Sequence, residues 1–142
     1  MELLAKGQVL VPIDFSDESF EAFSYAVSLI EDSANLYILH VLPRLEPTEP
    51  GVVWQSLDDQ TRKQNVKNAF FEKFSDPKYQ KLHFDAIVGE PVAEILNYAK
   101  AHKIELIILC SHERINAWHY LTRPVAERVV RFADSPVLVL HK

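Results

Sequence analysis

The strongest constraint on this chain is an alternation. Short runs of aliphatic residues are separated by longer segments whose apolar residues recur at helical spacing. The first run, Gln8-Val-Leu-Val-Pro-Ile-Asp14, is nearly continuous in branched residues, as a strand buried on both faces of a parallel sheet must be. Leu36-Tyr-Ile-Leu-His-Val-Leu42, Ile104-Glu-Leu-Ile-Ile-Leu-Cys110 and Val137-Leu-Val-Leu-His141 are further strand runs, and Leu82-His-Phe-Asp-Ala-Ile-Val88 alternates like a half-buried strand. Between the first two, Ser16 is a natural N-cap, with Asp17 and Glu18 placed to complement a helix dipole. Phe20, Phe23, Ala26, Val27 and Ile30 then fall on one helical face. A second helical pattern runs from about Trp54 to Phe74 and stops at Asp76-Pro77. The third follows Gly89-Glu-Pro91 and carries Val92, Ile95, Leu96 and Ala99, and the fourth spans Arg123 to Phe132. Five strands alternating with four helices predict a single doubly wound α/β domain over residues 1–142, with right-handed crossovers.

The bulk properties narrow the function classes. A net charge of −5 argues against nucleic acid or an anionic membrane as partner, since both call for a basic surface. No apolar run approaches the roughly 18–20 residues that span a bilayer. One cysteine forms no internal disulfide, and Met1-Glu-Leu-Leu-Ala-Lys-Gly7 lacks the basic and long apolar regions of a signal peptide, so a cytoplasmic location is expected.

In doubly wound sheets ligands sit beyond the carboxyl ends of the strands, which directs attention to Asp14, Val41-Leu42, Gly89 and Cys110-Ser111. Asp14 can bind a ribose hydroxyl there, or fasten loop amides, and both readings stand. Cys110, His112 and His119 carry zinc-compatible donors, but their spacing matches no closed zinc pattern and no metal is expected. No Gly-x-Ser-x-Gly elbow is present and nothing fixes a general base beside Cys110, so no catalytic residue is expected either. Trp118, His119 and Tyr120 form an aromatic patch that either receives a protein partner or fills interior volume. The final run, Val137 to Leu140, is apolar on both faces and predicts a sheet edge that a two-fold partner would cover.

Several segments carry a resemblance. Val11-Pro-Ile-Asp14 with Ser16, Leu39-His-Val41, Val88-Gly-Glu-Pro-Val92, Leu106-Ile-Ile108 with His112, Val125-Ala-Glu-Arg-Val129 and Ser135-Pro-Val-Leu-Val139 occur in an order and spacing similar to the universal stress protein family. The resemblance spans essentially the whole chain. It implies a five-stranded parallel sheet ordered 3-2-1-4-5, usually a homodimer, and a histidine at position 112 that binds no metal. In nucleotide-binding members the family carries Gly-x-x-Gly, nine residues, then Gly-Ser or Gly-Thr. Those four positions are Cys110, Glu113, Arg123 and Pro124 here. A phosphate cradle needs inward N–H groups free of blocking side chains, and Pro124 removes an N–H and a hydroxyl together. Glu113 would set a carboxylate against phosphate. The chain therefore resembles members without the ATP motif, with no cofactor and no enzymatic activity expected. The alternative is an ATP- or AMP-binding member with a rebuilt site. Its candidate contacts are Pro12, Asp14 and Val41 toward the nucleoside, with Ser111, Arg114, Arg123 and Val125 as the others.

Overall fold

A computed structural model describes residues 7–44, 58–113 and 119–141. Five parallel strands, β1 (Val9–Ile13), β2 (Leu36–Leu42), β3 (His83–Val88), β4 (Leu106–Ser111) and β5 (Val137–His141), form one sheet in the order β3-β2-β1-β4-β5. Four α-helices connect them: α1 (Asp17–Leu29), α2 (Asp59–Lys73), α3 (Pro91–Ala101) and α4 (Arg123–Phe132). This is the doubly wound architecture that the alternation predicts and the strand order that the resemblance implies. The aliphatic density of β1 and β4 has its counterpart in burial, since every residue of both strands is buried.

Local chemistry sets the helix starts. The Ser16 hydroxyl accepts the Ser19 N–H and caps α1, while Asp58 and Glu90 cap α2 and α3 in the same way. α4 begins without a side-chain cap at Thr122, but Pro124 in its first turn gives up an N–H that would have no helical partner. α1 and α2 meet on one face of the sheet through edge-on rings: Phe23 lies 5.3 Å from Phe70 and 4.7 Å from Phe74. α3 and α4 pack together on the other face. Two short 3-10 turns, Ser33–Asn35 and Pro77–Tyr79, precede β2 and β3 and are capped by Asp32 and Asp76.

One residue of β1 shapes the functional end of the sheet. β1 and β2 stay in register from Val9–Leu36 to Ile13–His40, whereas β1 and β4 pair only at Val9–Leu106 and Leu10–Ile107. Pro12 has no N–H to extend a ladder. The two central strands part near it, and this opens the crevice at the reversal in strand order. Just past β1, Phe15 adopts a left-handed backbone conformation with φ of 62°. Such a conformation costs a non-glycine residue about 1 kcal/mol. Its ring offsets this by packing edge-on against Phe20 and His40.

Candidate functional site

The site is built on the carboxylate that ends β1. Asp14 is 1% exposed, yet it is fully engaged by the protein. Its Oδ1 accepts the Ser16 N–H at 3.1 Å and the Ser16 hydroxyl at 2.5 Å. Its Oδ2 accepts the His112 Nε2–H at 2.8 Å and the Leu121 N–H at 2.9 Å. A carboxylate has about four lone-pair positions, and all are taken. Burial pushes the Asp14 pKa up, but the bonds from Ser16, His112 and Leu121 outweigh it and hold the group below its ordinary range. The group is therefore a buried carboxylate that joins β1, the start of α1 and the segment before α4.

The second element is Tyr120. Its hydroxyl donates to the Ile13 carbonyl at 2.7 Å and accepts the Val41 N–H at 3.0 Å, bridging the ends of β1 and β2. Those two backbone groups sit where adjacent parallel strands run out of partners, so a single hydroxyl satisfies a donor and an acceptor at once. His40 Nδ1–H also donates to the Ile13 carbonyl, at 2.9 Å. Burial drives the His40 pKa below its ordinary value, against the opposing pull of Ile13 and Asp14 and with help from Arg62. Arg62 itself is buried on α2 and donates to the Pro43 carbonyl at 2.6 Å. What remains open over β2 is a cleft of about 80 Å³ lined by His40, Val41, Leu42, Pro43, Gly89, Pro91 and Tyr120. Ligand pockets usually enclose about 300 Å³ or more.

A third group lies across the sheet at the start of α4. Ser111, Glu113, Arg123 and His141 line a cleft of about 270 Å³, and Arg123 Nε pairs with Glu127 at 3.1 Å on an exposed surface. Ser111, Arg123 and His141 also border an adjoining groove of about 310 Å³ with Ala126, Val130 and Val139.

The sequence-derived candidates thus separate. Asp14 and Val41 come together, but with Tyr120, whose hydroxyl holds the Val41 N–H. Pro12 is buried within β1, where its effect is on the strand ladder. Ser111 and Arg123 share a cleft, and Val125 is half-buried in the first turn of α4. Arg114 and Trp118 lie outside the described residues. Of the aromatic patch, His119 and Tyr120 are half-buried. Asp14, Cys110 and His112 have ligand atoms within 4.8 Å of one another, but the Asp14–His112 bond already occupies two of the three. Burial, the first of several causes, raises the Cys110 thiol to about 12, far from the thiolate needed for nucleophilic chemistry.

From the sequence Ser16 reads as a cap alone, and neither His40 nor Arg62 is among the site candidates. His40 carried a signal, being an imidazole inside an otherwise apolar run. The Tyr120 bridge carried none, because it joins residues 79 and 107 positions apart.

Comparison with known proteins gives one consistent answer. The sequence model of the Universal stress protein family matches residues 7–141. Universal stress protein YxiE of Bacillus subtilis is 30% identical, over 95% of this chain and 99% of its own. Universal stress protein MJ0531 of Methanocaldococcus jannaschii is 26% identical, over 95% of this chain and 82% of its own. Among solved structures, UspA from Lactobacillus plantarum superposes with a TM-score of 0.71 at 25% identity, covering 96% of this chain and 98% of that one. A universal stress protein solved in complex with cAMP matches in fold, with a TM-score of 0.60 at 19% identity over 96% of this chain and 98% of its own.

Proposed function

Since this chain belongs to the universal stress protein family, we propose that it is a member that works without bound nucleotide, as a dimeric stress-response or signalling module and not as an enzyme. The observation that carries this reading is the internal saturation at the β1 and β2 ends. Asp14 has no free acceptor position, and the Val41 N–H is held by Tyr120. A nucleoside entering there has to displace bonds that are already buried, each worth about 1 kcal/mol net and more when one partner is charged. Glu113 adds a carboxylate to the cleft that Arg123 and Ser111 would otherwise offer to phosphate.

Recognition then falls to surfaces. The four apolar residues of β5 are half-exposed at a sheet edge, and Val130 on the neighbouring α4 is 51% exposed. An apolar edge of this kind is stabilised by pairing, and a second copy meeting it about a two-fold axis is the simplest cover. The Tyr120 hydroxyl is committed to Ile13 and Val41 and is a poor anchor for a docking partner. Among the described residues no helix is long and apolar enough to cross a membrane. The single cysteine and the acidic charge of −5 suit a cytoplasmic protein with protein partners and not nucleic acid.

One feature favours a second reading, in which ATP or AMP binds through side chains. The cleft with Ser111 and Arg123 holds about 270 Å³ beside the start of α4, and one family member of similar fold was solved with cAMP. Titration calorimetry with ATP and AMP, each with magnesium, separates the two. We expect no heat of binding up to millimolar nucleotide. Micromolar binding that Arg123→Ala abolishes would establish the second reading instead.

A further inference from the structure

We propose that the cavity between the carboxyl ends of α3 and α4 binds a free apolar α-amino acid, held at both its carboxylate and its ammonium. The cavity lies beside the amino ends of β4 and β5, at the opposite end of the sheet from Asp14 and Tyr120. Its occupancy does not rest on the reading of the nucleotide crevice.

The cavity holds about 290 Å³, close to the lower limit for small-molecule pockets. Its walls supply three kinds of group. Leu96, Ile104 and the 57% exposed Phe132 are apolar, Lys100 and Lys103 are cationic, and Asp134 is anionic. Among the described residues, none of these three charged side chains forms an ion pair. Opposite charges that border one cavity without reaching each other leave room for a ligand that carries both.

Lys103 gives the strongest local signal. It follows α3 in the left-handed region, with φ of 53°, and the turn is fastened by the Ile104 N–H, which donates to the Ala99 carbonyl at 2.9 Å. Helices that end in this way usually place glycine there, because a side chain is strained in that conformation. A lysine in that position, lining a cavity, is the kind of backbone outlier that gathers at ligand clamps.

The pattern of groups selects the ligand. A simple cation is opposed by two lysines, a simple carboxylate leaves Asp134 unmatched, and a sugar makes no use of the apolar wall. An apolar amino acid meets all three: its carboxylate faces the lysines, its ammonium faces Asp134, and its side chain covers Leu96, Ile104 and Phe132. Both lysines and Asp134 are exposed, so each charged contact alone is weak and binding draws on the three together.

The test is titration calorimetry of the purified full chain with L-leucine and L-phenylalanine, beside N-acetyl-leucine and leucinamide, which each lack one of the two charges. We expect a submillimolar dissociation constant for at least one free amino acid, and at least a tenfold loss for both blocked forms. Lys103→Gly relieves the left-handed turn, so it should not lower thermal stability while it weakens binding at least tenfold. Asp134→Asn, at an exposed position, should weaken binding equally with the fold intact. No heat from either amino acid up to millimolar concentration overturns the proposal. So does equal binding of a blocked form, and so does binding that both variants leave unchanged.

Discussion

The two sides of this sheet handle their strand ends in opposite ways. At the carboxyl ends of β1 and β2, the Asp14 carboxylate takes up Ser16, His112 and Leu121, and the Tyr120 hydroxyl holds the Ile13 carbonyl and the Val41 N–H. At β5 four apolar residues are half-exposed, and Val130 on the neighbouring α4 is 51% exposed among charged side chains. Buried polar groups are costly without partners, so the first side is closed by the chain itself. Apolar surface is costly only in proportion to its area in water, so the second side can wait for another molecule. On the proposed reading, in which the crevice is closed from within, the remaining capacity for protein recognition lies at the sheet edge.

Breaking the closed side should produce the largest effect. Asp14→Ala leaves the Ser16 hydroxyl, the His112 ring and the Leu121 N–H without their shared acceptor. It is expected to lower unfolding free energy by about 3–5 kcal/mol, the range for breaking a buried charged contact from one side. Denaturant unfolding measures this, and a loss under about 1 kcal/mol would mean that the carboxylate is dispensable to the fold. Tyr120→Phe keeps the ring and removes only the bridge between the Ile13 carbonyl and the Val41 N–H, for an expected loss of about 1–3 kcal/mol. Calorimetry with AMP on the same variant sharpens the contrast, since binding that appears once the Val41 N–H is freed would identify the hydroxyl as the barrier.

The open side should respond differently. Val130→Glu at a 51% exposed position should change the stability of a single copy by no more than about 0.5 kcal/mol. Sedimentation equilibrium should nonetheless show at least a tenfold weaker dimer. Equal association in both proteins would place the partner surface elsewhere. The smallest expected effect is on pH dependence, and it belongs again to the closed side. The folded pKa of His40 lies below its unfolded value, so the unfolded chain binds more protons and stability falls with pH below about 6.5. Asp14, also depressed, adds a second loss only below about pH 4. His40→Asn should flatten the first descent and leave the second in place.

The closed and open sides were not equally legible in the sequence. The aliphatic runs at Val9–Ile13 and Leu106–Ser111 state their burial outright, because strands covered on both faces have no polar positions to spare. Ser16, Asp17 and Glu18 announce the start of α1 by local chemistry alone. The apolar edge at Val137–His141 is visible for the same reason. Asp14 was recognisable as a strand-end carboxylate, but not the choice between ligand contact and internal fastening. That choice depends on His112 and Leu121, which arrive from 98 and 107 positions away. Tyr120 hides for a related cause, since an aromatic residue in a loop reads equally as surface patch or interior filler until its hydroxyl has an address. Helix α2 shows the limit of periodicity. Its pattern suggests a start near Trp54, which lies outside the described residues; in the structure Asp58 caps it, and only Arg62 and Phe70 are buried along its length.

The Asp14 fastening also bears on the order in which the molecule can be completed. During synthesis the carboxylate emerges 107 residues ahead of the Leu121 amide that takes its last lone pair. At typical translation speeds that interval is about 5–20 s, long compared with helix and hairpin formation. Until β4 emerges near the end of that interval, β1 can join β2 alone, so the middle of the finished sheet is for a time its growing edge. The crevice at the centre of the protein is therefore a seam, closed late by the segment before α4.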